Sequence, residues 1–250
     1  MLIINPTFEN YRREISSVPD IFENEGELIY ERKQQQVRIM TFSDGRKYCT
    51  KRFPMPQIHN RFVYATGLRR SKALRSYYNG HRLLEKNIET PLPIAYVDER
   101  TMGLVGYAYL LCEVCPYTHQ MYEFGNAAEG TYEEMATELA RWTAKIHRVG
   151  VMHHDYSPNN ILWEKDNEGK YHFTLLDLGR VYFGEVSVEM GCANFAKLWG
   201  PKRFFSLIAK EYAQCRGAGN DECERWVMEA RRRFWTHYDK RDQVPFTIEL

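Results

Sequence analysis

Asp155 and Asn160 stand five residues apart within residues 151–162, VMHHDYSPNNIL. Asp177 follows seventeen residues later in LLDLGR, where an apolar stretch ends in an acid and then Leu-Gly. Two carboxylates and an amide oxygen are the groups that phosphoryl transfer from a nucleotide requires. One carboxylate orients the attacking hydroxyl and accepts its proton, while the other and the amide hold the Mg²⁺ that neutralises the phosphates. A cation must also reach the phosphates, and Lys51 in YCTKRF is the one so placed. Asp and Asn also shape ordinary turns. The joint spacing, H-x-D-x-x-x-x-N with a later D-L-G at the end of an apolar strand, favours the chemical reading.

Such residues need elements to hold them. The density of polar residues in 151–162 excludes a buried strand, and Pro158 removes a donor and restricts its predecessor, so the stretch reads as an ordered loop. Upstream, Thr131 and Glu134 have the spacing of a capping box, and Met135, Leu139, Trp142, Ile146 and Val149 recur at helical intervals. This predicts a helix that runs to about His147, stops at Gly150 and delivers the chain into the loop. Strands at 161–164 and 171–176, joined by KDNEGK, form a hairpin that would let Asp155, Asn160 and Asp177 converge. From about Val188 the chain is mainly helical, with Phe195, Leu198, Trp199, Phe204, Phe205 and Ile208 as apolar positions. The first half is β-rich. ELIYERK and QQVRIMTF are strand-like, Asp44-Gly45 marks a hairpin turn, and YCTKRF is a third strand. A helix over 72–86 follows, capped by Ser71, with Ala73, Tyr77 and Leu84 on one face. TPLPIAYVD leads into a strand, and MGLVGYAYLLCEVC supplies one or two buried strands.

Composition bounds the classes. The 250 residues are 44% hydrophobic and 14% aromatic, which suffices for a sizeable core and argues against disorder. The longest nearly uncharged apolar run, 102–112, is too short to span a bilayer, and the N-terminal MLIINPTFENYRR breaks at Asn5-Pro6, unlike a signal peptide. Six cysteines without a regular framework fit a reducing compartment, so the expectation is a soluble cytoplasmic protein. Cys112 and Cys115 form a C-x-x-C, but no second close pair exists and the segment is apolar strand, which argues against metal. No repeat or low-complexity tract occurs. The net charge of +1 hides an imbalance: residues 44–75 carry nine Lys or Arg against Asp44 alone. That strip is either a solvated basic face or a surface for phosphate, anionic lipid or an acidic substrate; nucleic acid is not expected.

HHDYSPNNIL…LLDLGR is similar to the H-R-D-x-x-x-x-N and D-F-G pair of the protein-kinase-like fold. Lys51, the sheet-then-helix order and the capped helix before the loop extend the resemblance over most of the chain. Within that fold, HxDYSxNNIL and DLGR, with KRF on the third strand and SKALRSY opening the next helix, most resemble the bacterial lipopolysaccharide kinases. These are the Kdo and heptose kinases of the inner core. The resemblance implies one α+β, bilobal kinase-like domain over 1–250. A small β-rich N-lobe with one main helix would occupy about 1–114, a hinge about 113–117, and a larger, mainly helical C-lobe about 118–250. It implies phosphate transfer from ATP, with Mg²⁺, to a sugar hydroxyl of the lipid A-linked core, Kdo before heptose. Asp155 would be the catalytic base, Asn160 and Asp177 metal ligands, and Lys51 the lysine that touches the α and β phosphates. The backbone of Glu113 and Cys115, in the hinge LLCEVCPY, would meet adenine. The basic segment 44–75 would meet an anionic membrane, placing the protein peripherally at the inner face of the inner membrane.

The chain also departs from the pattern. No G-x-G-x-x-G precedes Lys51, and the hairpin turn near 32–36 has no glycine. No acid stands around 77–79 where a helix glutamate would pair with Lys51; Glu85 is the only acid in that helix. His154 replaces the Arg that reads activation-loop phosphate, and no A-P-E follows Asp177, which argues against a phosphorylation-regulated protein-substrate groove. His153 reads as a packed histidine that braces the loop, and Arg180 as a partner of the metal-site loop or of the acceptor. Two other functions stay open. A RIO-like atypical protein kinase also suits Ser157 and the missing A-P-E. A pseudokinase binding module suits the missing glutamate and glycine loop, and is opposed by the intact Asp155, Asn160 and Asp177.

Overall fold

Side-chain alternation builds the first sheet. In β5 (Pro93–Thr101) and β6 (Leu104–Glu113), Ala95, Val97, Tyr109 and Leu111 join one buried cluster, whereas Tyr96, Ala108 and Leu110 join another. Successive residues of a strand face opposite sides, so the sheet is buried on both faces. α1 (Arg12–Ile21) and the turn before it cover one face with Phe8, Tyr11, Ile15, Val18 and Phe22. α3 (Lys72–Glu85) covers the other with Ala73 and Tyr77. The sheet runs β1 (Leu2–Ile4), β5, β6, β4 (Lys47–Phe53), β3 (Gln35–Thr41), β2 (Glu27–Arg32), with antiparallel neighbours throughout. Ser71 caps α3 as expected, its Oγ accepting from the Leu74 N–H at 3.2 Å, while Leu83 rather than Leu84 is fully buried. β1, α1 and the short α2 (Ile58–Ala65) are additions to the elements read from sequence.

The computed structural model describes all 250 residues and divides into two units, Met1–Pro116 with Asp177–Gly179, and Tyr117–Leu176 with Arg180–Leu250. The second unit is mainly helical. α4 (Glu133–Arg148) packs on α6 (Lys202–Arg216), α6 on α7 (Asn220–Thr236), and α7 on α5 (Val188–Asn194). Phe195, Phe204 and Phe205 are fully buried there, each contributing on the order of 2–3 kcal/mol relative to exposure. Met135, Leu139 and Ile146 of α4 face inward, but Val149 lies past the helix end and is exposed. The start of α4 differs from the expected Thr131–Glu134 box. The Glu133 carboxylate accepts from the N–H groups of Gly130 (2.9 Å) and Tyr132 (3.1 Å), and Glu134 instead pairs with Lys165. A carboxylate in the first turn answers both the unbonded N–H groups and the positive end of the helix dipole. β9 (Ile161–Lys165) and β10 (Tyr171–Leu175) form the expected hairpin, β7 (His119–Gln120) adds to β9, and β8 (Val151–His153) pairs with β11 (Val181–Phe183). No helix is long and apolar enough to cross a membrane.

Candidate active site

The loop after β8 is held from four sides within its unit. Gly150 turns the chain from α4 into β8 at φ +73°, and a Cβ there would stand 2.9 Å from the Gly184 carbonyl, so only glycine fits. His153 is fully buried. Its Nδ1 accepts from the Asp155 N–H at 3.1 Å, and its Nε2 faces the Leu176 carbonyl at 3.1 Å, which assigns the proton to Nε2. The bracing role expected of His153 is what this geometry provides. Tyr156, also buried, shares a hydrogen bond with Thr143 of α4 at 2.6 Å. Asn160 donates from Nδ2 to the Asp155 carbonyl at 2.8 Å, and the Leu176 N–H donates to the Asn160 carbonyl at 2.9 Å. The hairpin thus sets Asp155 and Asn160 beside the end of β10, two residues before Asp177 in the chain.

Lys197, which the sequence did not single out, and Arg180, which it did, complete this unit's contribution. Lys197 donates from Nζ to Asp155 Oδ1 at 2.7 Å and to the His154 carbonyl at 3.3 Å. Arg180 Nη1 lies 3.9 Å from Asp155 Oδ2. Burial pushes the Asp155 carboxyl pKa up, but Lys197 first and then Arg180 outweigh it and leave the pKa below the ordinary aspartate value. Lys197 is itself fixed by the backbone on either side. Arg231, fully buried, donates to the carbonyls of Ala196 (3.4 Å) and Leu198 (2.8 Å) and stacks on Phe205 with its guanidinium 3.3 Å from the ring centroid. Beneath the loop, His147 joins Tyr212 (2.8 Å) to Asn194 (3.2 Å), and Asn194 donates to the His153 carbonyl at 3.0 Å. Burial holds the His147 pKa down to about 4, so this bridge is neutral at physiological pH.

The first unit carries the other expected group. Lys51 donates to Asp177 Oδ1 at 3.0 Å, and Lys72, the first residue of α3, to Oδ2 at 2.8 Å. Burial would raise the Asp177 pKa; the two ammonium groups more than offset this and hold it down to about 2. Lys51 therefore has a carboxylate partner, and that partner is Asp177 rather than a glutamate of α3. Glu85 sits at the far end of α3, beside His81. Asp177 takes φ +53°, a conformation aspartate tolerates better than most residues and one that gathers at functional sites. Asn79 of α3 donates to the Leu178 carbonyl at 2.8 Å. A Cβ on Gly179 would fall 2.4 Å from Lys72 Cγ, so the glycine of D-L-G is what lets Lys72 reach the acid. Lys72 and Lys197 are the two cations that sequence reading missed. Their pairings span 105 and 42 residues, and no local motif signals them.

Residues 22–183, well over half of the chain, match the model of the lipopolysaccharide kinase (Kdo/WaaP) family. The chain belongs to that family. It is therefore a kinase, and its fold is protein-kinase-like. Among solved structures, this lipopolysaccharide kinase resembles WaaP in complex with acyl carrier protein, at 15% identity and a TM-score of 0.64, covering 96% of this chain and 100% of that one. It is also similar to the Rio2 kinase from Chaetomium thermophilum, at 12% identity and a TM-score of 0.46, covering 90% of this chain and 72% of that one. A Rio2 ADP/Mg²⁺-phosphoaspartate complex from the same organism matches at 11% identity and a TM-score of 0.47, covering 96% of this chain and 74% of that one. No curated protein matches the sequence.

Asn160 in the second unit and Asp177 in the first each offer a hard oxygen donor of the kind Mg²⁺ takes, and Asp177 is a carboxylate at any physiological pH. No group of three His, Cys, Asp or Glu side chains forms a dedicated metal cage, and Mg²⁺ at nucleotide sites is held by one or two carboxylates together with phosphates. Cys112 lies on β6 with its thiol pKa pushed up by burial, the opposite of a metal-binding thiolate. At the end of β6, the Glu113 N–H donates to the Leu92 carbonyl at 3.0 Å. A contact of Glu113 with adenine would therefore use its carbonyl. Cys115 follows, half-buried, one residue before the unit boundary at Pro116.

Proposed function

We propose that this lipopolysaccharide kinase transfers the terminal phosphoryl group of Mg²⁺-ATP to a hydroxyl of Kdo in the lipid A-linked core, with heptose as the second acceptor. The observation that carries this reading is Asp155. Its backbone is braced by His153 and Asn160, and its carboxylate is held ionised by Lys197 at 2.7 Å. Asp155 accepts the acceptor's proton as the new O–P bond forms and the bond to the leaving nucleoside diphosphate breaks. Mg²⁺-ATP, when bound, supplies the phosphoryl group and neutralises its charge. Asn160 and Asp177 are the residues to hold the metal, and Lys51 and Lys72 the cations available to the phosphates. The Glu113 carbonyl and the Cys115 backbone are assigned to adenine. We read the chain as a single kinase domain, with residues 113–117 as the segment that links its two units.

The charge pattern supports an acidic acceptor. Part of the basic strip is used internally: Arg52 pairs with Glu23, Arg61 donates to the Val105 carbonyl, and Lys51 and Lys72 pair with Asp177. Arg69 and Arg70 remain exposed, and no acid lies between Asp44 and Glu85. Kdo carries a carboxylate and heptose does not, so such a surface favours Kdo. A lipid-borne acceptor places the protein at the inner face of the inner membrane. A carrier protein, the partner in the WaaP structure, is a second partner class to test for this chain. The deciding experiment measures phosphate transfer from labelled ATP to Kdo-lipid A, to heptose-bearing core and to a generic protein. Transfer to Kdo-lipid A that outpaces both others supports the reading; preferential labelling of the protein would replace it with a protein-kinase function.

A further inference from the structure

α2 does little for the unit that carries it. None of its eight residues is fully buried, and Gln57 at its start makes no capping side-chain bond. An isolated helix of that length is unstable in water, so tertiary contacts must hold it. Arg61 donates from Nε to the Val105 carbonyl of β6 at 2.8 Å, and Asn60 and Tyr64 line a pocket with Phe53, Val105 and Lys72. The side chains left outward are apolar. Ile58 is 59% exposed and Phe62, one turn on, 56%; Met55 before the helix is 40% exposed and Leu68 after it 84%. Met102, at the β5–β6 turn three residues before Val105, is 99% exposed. Single exposed apolar residues are ordinary, but five on one short helix and the turns beside it are not.

The charge around them is one-sided. No Asp or Glu occurs between Asp44 and Glu85, and exposed Arg69 and Arg70 directly follow Leu68. Apolar tips flanked by cations match the headgroup boundary of an anionic bilayer. An acidic protein would satisfy the cations, but a stable protein interface needs about 1,000 Å² of closely complementary surface, whereas the apolar side chains here stand out singly from a helix with no buried residue. Insertion into lipid needs no shape match. The element also leads into chemistry: Lys72, two residues past Arg70, bonds Asp177.

We propose that α2 and its flanking turns are a membrane-docking element. Ile58, Phe62 and Leu68 enter the headgroup–acyl boundary of an anionic bilayer, and Arg69 and Arg70 meet lipid phosphates. This rests on the reading that the acceptor is lipid-borne, and it gives that reading a surface.

The test uses the full chain with vesicles of phosphatidylglycerol in phosphatidylcholine, and vesicles of phosphatidylcholine alone, in co-sedimentation. The wild type is expected to bind the anionic vesicles, less so as salt rises. Ile58→Asp with Phe62→Asp should lower partitioning at least tenfold. Arg69→Ala with Arg70→Ala should lower it by about tenfold or more at low salt and little at high salt, since each surface cation is worth about fivefold. Wild-type binding that ignores vesicle charge, an Ile58/Phe62 variant that binds like wild type, or binding to an acidic protein with none to vesicles would each overturn the proposal. A second readout separates it from the kinase reading. On a delipidated, water-soluble Kdo acceptor, the Ile58/Phe62 variant should turn over like wild type, and loss of that turnover would overturn a docking role. Absence of transfer by the wild type to any Kdo acceptor would sink the Kdo reading while leaving vesicle binding to stand on its own.

Discussion

Replacing Lys197 by Met should move the acid limb of the pH–rate profile. Lys197 and Asp155 meet at 2.7 Å with side chains 29% and 31% exposed. A hydrogen bond to a charged group contributes about 1.5–3 kcal/mol when well buried. Solvent screening of this pair takes it just below that range, to about 1.4 kcal/mol, which is about one pKa unit. In the variant, burial acts on Asp155 opposed chiefly by Arg180 at 3.9 Å, so its pKa rises by about that amount. As the proposed base, Asp155 works only when ionised, so activity should be lost as pH falls through its pKa. The acid limb of kcat/KM should therefore shift upward by about one pH unit. Well above it, turnover should fall less than tenfold, and KM for ATP should hold. Transfer kinetics from about pH 5 to about pH 9 read this directly, with Lys197→Arg expected to restore the wild-type limb. An acid limb unchanged in Lys197→Met would refute the idea that Lys197 tunes Asp155.

Asp177→Asn keeps the shape but removes the anion shared by Lys51 and Lys72, so Mg²⁺ should add little to ATP-induced thermal stabilisation; an enhancement equal to wild type would contradict the metal assignment. Gly179→Ala drives a Cβ to 2.4 Å from Lys72 Cγ and should destabilise the fold by about 1–3 kcal/mol in denaturant melts, whereas an unshifted melt would mean Lys72 moves away freely. His147 is neutral when folded, with its pKa near 4, and binds a proton when unfolded at its ordinary 6.5. Its stabilisation is complete above about pH 6.5 and falls away by about 3 kcal/mol as pH drops toward 4; His147→Phe should flatten that slope, and an unaltered slope would remove His147 from the account.

What the sequence made legible was local. Asp155, Asn160 and the hairpin lie within about twenty-five residues, so spacing, a proline and two short apolar runs suffice to place them. The helix before the loop was equally readable, although Glu133 rather than Glu134 answers its first turn, because one residue of drift in the helix start changes which carboxylate faces the free N–H groups. The cations that pair with Asp155 and Asp177 were not local. Lys72 and Lys197 reach their acids through tertiary packing, and lysines of that kind are indistinguishable in sequence from solvated ones. Arg231 is the extreme case: an arginine inside an amphipathic helix reads as surface, yet it is fully buried on two backbone carbonyls and a phenyl ring. α1 hides behind Pro19 in its last turn, and α2 behind the absence of any buried residue. The basic strip was visible as charge, but which cations it spends inside the unit was not.

The central claim is that Asp155 is the base of a phosphotransferase, and Asp155→Asn tests it with the least disturbance. The amide keeps the volume and leaves the backbone bonds to His153 and Asn160 in place. Single-turnover transfer from Mg²⁺-ATP to Kdo-lipid A should fall by at least ~10²-fold, while nucleotide affinity from a direct titration stays within about twofold of wild type. Near-normal transfer by the variant would contradict the account at its centre.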